Sequence, residues 1–374
     1  MDYETPQFFR VMQYAARADR DVVGMVNGNP DWEPPAALRE GLREYADAPP
    51  ADFQYPASVG LAELRTEIAE RRGVDREGIV VTSGAGEANH LAMAGGLEAF
   101  PGDEVLLADP VYPYYAGRAN FLGADASLVP VREDGHLDPD AVAECASEET
   151  AVVVVNSPNN PTGVTYDADA MAGLVAVAED NDALLVSDEV YDHFDYSGRF
   201  ESALAVDSPN RVVTNSVSKS MAITGWRVGY AVFPPESAPG PAGDLLDRAR
   251  TRHMLTTVTG SRPAQAAVCH ALRNTGPDYY RANRERMRER LDAFTDVLAD
   301  VGAEYTEPEG AFYVMARFEG FPGTFENVEW LIDEGGVAGM PGEAFGRERD
   351  DWIRFSLTTD RIETAGERLR DVFG

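Results

Sequence analysis

Lys219 is the only lysine in a chain of 374 residues; the rest of the Lys plus Arg total is arginine. Lysine is ordinarily among the commonest residues, so its retention at one position points to a task that arginine cannot perform. A lysine amine can lose its proton and attack a carbonyl to form a Schiff base. A guanidinium stays protonated and is not nucleophilic. The chemistry to be positioned is therefore nucleophilic attack by one amine.

The elements that must position it are legible as five short apolar runs. They are Ile79 to Thr82, Glu104 to Ala108, Ala151 to Val155, Ala183 to Ser187 and Arg211 to Ser216. The run AVVVV is apolar throughout, as a strand covered on both faces should be. Helical patterns such as Glu87 to Phe100 and Ala168 to Asp180 lie between the runs, the alternation expected of βαβ units and a mostly parallel sheet. Each run ends in a polar or glycine-rich group: SGAGE, DPVYPYY, NSPNNPTG, DEVY and VSKSMAITGWRVGY. Singly, each resembles an ordinary turn or helix start. Ligands of open α/β sheets bind beyond the carboxyl ends of the strands, so five such groups imply one shared site. From about Asp278 the pattern changes to a long amphipathic helix, YYRANRERMRERLDAFTDVLADVG, and two further strands, EGAFYVMARF and WIRFSLT. Asn27 to Pro35, rich in Gly, Pro and Asn, reads as a loop.

Composition excludes several classes. The formal net charge is −32, from 64 acidic against 32 basic residues spread along the chain. Nucleic acid and anionic membranes would be repelled. Scattered acidity with arginine kept and lysine lost fits a high-salt cytoplasm better than an acidic partner-binding surface. Cys145 and Cys269 form no CxxC motif and no disulfide framework, which suits a reducing compartment. The N-terminus MDYETPQFFRVM lacks an apolar h-region and does not read as a signal peptide. No apolar stretch reaches the roughly 18 residues needed to span a bilayer. The five histidines, at 90, 136, 193, 253 and 270, lack metal-ligand spacing, so no catalytic metal is expected.

The ordered set GAGE, DPVYP, NNPTG, SDEVY, SxSK and GWRVGY resembles the class I/II aminotransferases, pyridoxal-phosphate enzymes of the type I fold. The resemblance runs from about Asn27 to the last helix. It implies an α/β fold with a large cofactor domain over residues 41–274 and a small α+β domain formed by residues 1–40 and 275–374. It implies that Lys219 forms the Schiff base with the cofactor aldehyde and then moves the α-proton. Asp188 would pair with the pyridine nitrogen, and since an unpaired carboxylate beside a buried strand is costly, a charged partner is expected for it. Tyr191 and Asn160 would hydrogen-bond the cofactor's phenolic oxygen, and Tyr112 would stack on its ring. Ala85 and Gly86 at a helix start, with Ser216, Ser218 and Arg227, would hold the phosphate. Tyr55 would reach the phosphate of a neighbouring subunit, which implies a homodimer.

For the substrate, the resemblance implies that Arg354 clamps the α-carboxylate with help from Asn160, and that Gly28 closes over it. Arg252 is the candidate for a second carboxylate, crossing the dimer; an exposed arginine at a helix end explains it equally well. Two positions depart from the pattern: Glu87, where many relatives have Gln or Lys, and Tyr112, where some have Trp. The expected activity is transfer of an amino group between an amino acid, aspartate-like first and aromatic next, and a 2-oxo acid by a ping-pong mechanism in the cytoplasm. A β-lyase, decarboxylase or synthase using the same lysine is the alternative. The effector half of a transcription regulator would want a basic winged helix ahead of the fold, whereas here the fold begins near residue 27.

Overall fold

The computed structural model describes residues 6–374. The first five residues, which open both the acidic N-terminal segment and the expected 1–40 segment, lie outside the described residues. Seven strands form the main sheet: β1 Ile79–Thr82, β2 Glu104–Asp109, β3 Asp125–Pro130, β4 Thr150–Asn156, β5 Leu184–Asp188, β6 Arg211–Ser216 and β7 Gly229–Val232. Their spatial order is β1-β7-β6-β5-β4-β2-β3. Only β7 runs antiparallel to its neighbours.

The five expected strands are present within a residue or so of their expected bounds. Two strands were not expected. β3 is a partly exposed edge strand ending in proline, and β7 is a four-residue antiparallel strand entered through Gly229. Neither carries the long apolar run of a doubly covered parallel strand. In that covered interior, alternate residues feed two cores. Val153, Val155, Leu185 and Val213 pack on one face; Val152, Val154, Leu184 and Val212 pack on the other. The period-2 geometry of a strand sends successive side chains to opposite faces. The helix Ala168–Asp180 starts where Asp167 accepts a hydrogen bond from the Ala170 N–H at 3.0 Å, a side-chain cap for an otherwise unpaired donor.

Register matters most for function. Asn156 pairs with Asp188 across β4 and β5, and Asp188 with Thr214 across β5 and β6. One row of polar residues therefore crosses the carboxyl ends of three strands.

A third core gathers Val11, Val23 and Met25 with Phe294, Phe312, Phe355 and Leu369. Its sheet contains β8 Glu304–Tyr305, β9 Tyr313–Arg317, β10 Met340–Pro341 and β11 Ile353–Ser356 in the order β10-β11-β9-β8, all antiparallel. The two parts are joined by polar contacts at a seam. The Val111 N–H donates to the Phe345 carbonyl at 2.7 Å, and the Arg347 N–H to the Asp109 carboxylate at 2.9 Å.

Candidate active site

Lys219 stands in the one-turn helix Val217–Ser220 that follows β6 directly, with the Ser216 hydroxyl capping the Ser218 N–H at 3.4 Å. Its Nζ donates to the Gly28 carbonyl at 2.7 Å and lies 5.8 Å from the centre of the Tyr191 ring. Burial, followed by the charges of Arg354 and Arg227, lowers the amine from its ordinary range to about 8, while Asp188 acts in the opposite sense. An amine so placed gives up its proton far more readily than a surface lysine.

Gly28 arrives from the far end of the chain. The segment before it lies along β11: the Ser356 N–H donates to the Met25 carbonyl at 2.8 Å, and the Thr358 hydroxyl to the Asn27 carbonyl at 2.9 Å. A Cβ at Gly28 would run into the Tyr313 hydroxyl. Glycine is thus required here for close approach rather than for its backbone angles.

Asp188 ends β5 and is buried. Its Oδ2 accepts from Tyr115 Oη at 2.7 Å and Asn89 Nδ2 at 2.6 Å, and its Oδ1 from the Val190 N–H at 3.2 Å. Thr214 fixes the Asn89 amide by donating to its Oδ1 at 2.6 Å. These partners from the protein are neutral, so the charged partner expected for Asp188 is left to the cofactor's ring nitrogen. Hydrogen bonds to a charged group contribute about 1.5–3 kcal/mol each, and taking a carboxylate out of water costs several kcal/mol. Burial accordingly pushes the Asp188 carboxyl upward despite its donors.

Arg354, on β11, is buried at 3% exposure and meets no carboxylate within 4.0 Å among the described residues. Its Nη1 donates to Asn160 Oδ1 at 3.0 Å, its Nη2 donates to the Val26 carbonyl, and its guanidinium lies 4.5 Å from the Tyr313 ring centre. Its Nε is buried without a partner. Tyr191 is buried with its hydroxyl 2.8 Å from that of Tyr313.

Ala85 and Gly86 open the helix Ala85–Ala99 and line the same cavity as Lys219. Arg227 adopts a left-handed backbone and donates to the Thr224 carbonyl at 2.9 Å and the Ser83 carbonyl at 3.2 Å. A Cβ at Gly84 would strike its guanidinium. The Ser218 hydroxyl is buried without a partner. Glu87, the departure next to this turn, accepts from the Ser83 N–H at 2.5 Å and sits 2.8 Å from the Nδ1 of fully buried His253.

One cavity of about 460 Å³ unites Gly28, Ala85, Gly86, Tyr112, Asn160 and Asp188 with Tyr191, Ser216, Ser218, Lys219, Arg227 and Arg354. Two expected residues do not line it. Tyr55 is 80% exposed, and Arg252 is ion-paired with Glu98 on the outer helix Leu245–Thr257. Asn89, Tyr115, Tyr313 and Arg118 line the cavity without having been singled out in the sequence. A signal existed for two of them: Asn89 falls one helical turn after Ala85, and Tyr115 follows Tyr112 by three residues at a helix start.

The donor set fits pyridoxal phosphate. It offers a buried carboxylate lacking a cation, a lysine of lowered basicity, an unpartnered serine hydroxyl, and a helix start beside an arginine. The family model described as aminotransferase class I and II matches residues 20–369. The chain is 31% identical to an aspartate aminotransferase of Pyrococcus horikoshii, over 91% of this chain and 87% of that one. It is also 31% identical to an aspartate/prephenate aminotransferase of Thermus thermophilus, over 95% of this chain and 91% of that one. A structure of aspartate aminotransferase from Thermus thermophilus with maleate superposes with a TM-score of 0.87 at 30% identity, covering 99% and 97% of the two chains. The chain belongs to the class I and II aminotransferases. It is a pyridoxal-phosphate-dependent enzyme of the type I fold that moves an amino group between an amino acid and a 2-oxo acid.

Proposed function

We propose that the enzyme is an aspartate aminotransferase that works as a cytoplasmic homodimer by a ping-pong mechanism. The observation that carries the reading is that Lys219 shares one cavity with two buried charges that have no ion-pair partner among the described residues, Asp188 and Arg354. Bound pyridoxal phosphate supplies the electrophilic aldehyde and the electron sink. Asp188, held by Tyr115 and Asn89, keeps the ring nitrogen protonated. Tyr191 and Asn160 donate toward the ring oxygen, and Tyr112 covers the ring face. The helix start at Ala85 and Gly86, with Ser216, Ser218 and Arg227, takes the phosphate. Arg354 and Asn160 take the substrate's α-carboxylate, Gly28 closes over it, and Lys219 Nζ carries the α-proton.

The names of the relatives support aspartate as the donor. Exposed Phe53, Tyr55, Leu255 and Val258 support the dimer. They belong to segments tied together by the hydrogen bond from the Thr259 hydroxyl to the Ala57 carbonyl at 3.2 Å, and an apolar surface of this kind marks an interface. In that dimer Tyr55 would reach the partner's phosphate, and Arg252 would have to leave Glu98 to reach the partner's substrate. Among the described residues no helix is long and apolar enough to cross a membrane. The test is a half-reaction panel in molar salt: loss of the cofactor's absorbance with each amino acid in turn, alongside sedimentation. Fast conversion by aspartate in a dimer is expected; conversion only by neutral amino acids would exclude the aspartate assignment.

A further inference from the structure

The cavity holds a further cation besides Lys219, Arg227 and Arg354. Arg118, on the helix Pro113–Phe121, lines it together with Lys219 and Arg354. Among the described residues the Arg118 guanidinium makes no hydrogen bond and no ion pair. Other arginines withdrawn from solvent have an acceptor: Arg72, Arg65 and Arg290 have carboxylates, Arg211 and Arg349 have backbone carbonyls, and Arg354 has Asn160 and the Val26 carbonyl. Arg118 is partly buried, and burial opposes its charge. A guanidinium in that setting costs free energy unless an anion meets it.

Its location limits what that anion can be. Arg118 Nη2 lies 3.8 Å from where a Cβ on Gly86 would be, and Arg227 Nη2 lies 3.9 Å from the same point. The absence of a side chain at 86 leaves the guanidinium open to the cavity. Arg227 and the helix start already face the phosphate, and Arg354 with Asn160 faces the α-carboxylate. Arg118 shares the helix of Tyr115, one turn on, and its charge acts on the Tyr112 phenol, as does that of Arg354. Tyr112 thus lies within range of both guanidinium charges. Arg252, the other candidate, is occupied by Glu98.

We infer that Arg118 is the residue that selects acidic substrates by pairing with their side-chain carboxylate. This rests on the reading of the enzyme as one for aspartate-like donors. A guanidinium suits the role because its fork binds a carboxylate through two parallel hydrogen bonds, and a neutral side chain would leave it unpaired.

The experiment compares wild-type holoenzyme with Arg118→Gln, Arg118→Lys and Arg252→Gln. Three quantities are read: kcat/KM for aspartate and for phenylalanine, the Kd of maleate from the cofactor's absorbance, and cofactor retained after gel filtration. In Arg118→Gln, kcat/KM for aspartate and affinity for maleate should both fall about a hundredfold, the loss typical when one partner of a buried charge pair is removed. Phenylalanine turnover should stay within about threefold and the cofactor should stay bound; Arg118→Lys should recover part of the loss. If Arg118→Gln releases cofactor or weakens both substrates equally, the arginine serves the phosphate or the packing and the inference is wrong. If only Arg252→Gln loses aspartate and maleate, the inference is wrong while the aspartate reading stands. If the wild type takes no acidic substrate, both fall.

Discussion

Arg354 Nη1 donates to Asn160 Oδ1 at 3.0 Å, joining β11 of the small sheet to the turn that follows β4 of the main sheet, 194 positions away. The bond crosses the seam between the large and small parts of the molecule. It aims the guanidinium with a neutral acceptor, so the positive charge stays available. Arg354→Ala is expected to raise KM for amino acids by one to three orders of magnitude, since an unpaired substrate carboxylate costs about 2–5 kcal/mol. Titration with a simple carboxylate inhibitor checks this, and unchanged inhibitor affinity would remove Arg354 from the substrate site.

Lys219→Ala is expected to abolish turnover, and Lys219→Arg equally so. Borohydride treatment of the wild-type holoenzyme should fix the cofactor to the single peptide carrying Lys219, as read by mass spectrometry. The amine's lowered value of about 8 sets a pH dependence. Only the neutral amine attacks a carbonyl, so capture of pyridoxal phosphate by the apoenzyme should accelerate as pH rises through about 8 and then level off. A surface-like lysine would still be accelerating near pH 10. The folded protein binds fewer protons at this site than the unfolded chain between about pH 8 and the ordinary lysine value. The stability penalty of burying the charged amine is therefore full below that window and relieved as pH rises through it.

Asp188→Asn should leave the cofactor bound but lower turnover on the order of a thousandfold or more, because it removes the charge that stabilises the electron-rich transition state. Tyr115→Phe takes away one of the donors to that carboxylate. It should lower kcat by about tenfold, the equivalent of one charge-assisted hydrogen bond of about 1.5 kcal/mol. A pH titration of the cofactor spectrum separates the two variants from a folding defect.

Gly28→Ala should fold normally yet lose most of its activity. The added methyl would collide with the Tyr313 hydroxyl and displace the carbonyl that holds Lys219 Nζ. Melting temperature within a few degrees of wild type, with kcat down at least tenfold, is the expected pair of results.

With a net charge of −32, two subunits repel strongly at low ionic strength. The Debye length is about 30 Å at 0.01 M salt and about 3 Å at 1 M. Thermal unfolding and sedimentation across that range should show a dimer stabilised by salt, with cofactor released on dilution. A flat melting temperature and an intact dimer at low salt would rule out screening as the explanation of the acidic surface.

The sequence alone determined the covalent chemistry and its framework. One lysine among arginines marks the candidate nucleophile, and polar groups after five apolar runs mark the strand ends that line the cavity. Both signals are local: a residue type suited to one reaction, and a run length suited to a covered strand. Of the strands, β3 escaped because its partly exposed residues carry no such run, and the short β7, β8 and β10 escaped with it. The tertiary structure alone decided how the charges are accompanied. Asn89 and Tyr115 reach Asp188 from 99 and 73 residues away, and Glu98 occupies Arg252 across 154. Whether a buried charge has a counter-ion depends on which distant segments fold against it, and no periodicity records that. The same holds for Arg118, which the helix Pro113–Phe121 places beside Gly86 with no carboxylate partner among the described residues.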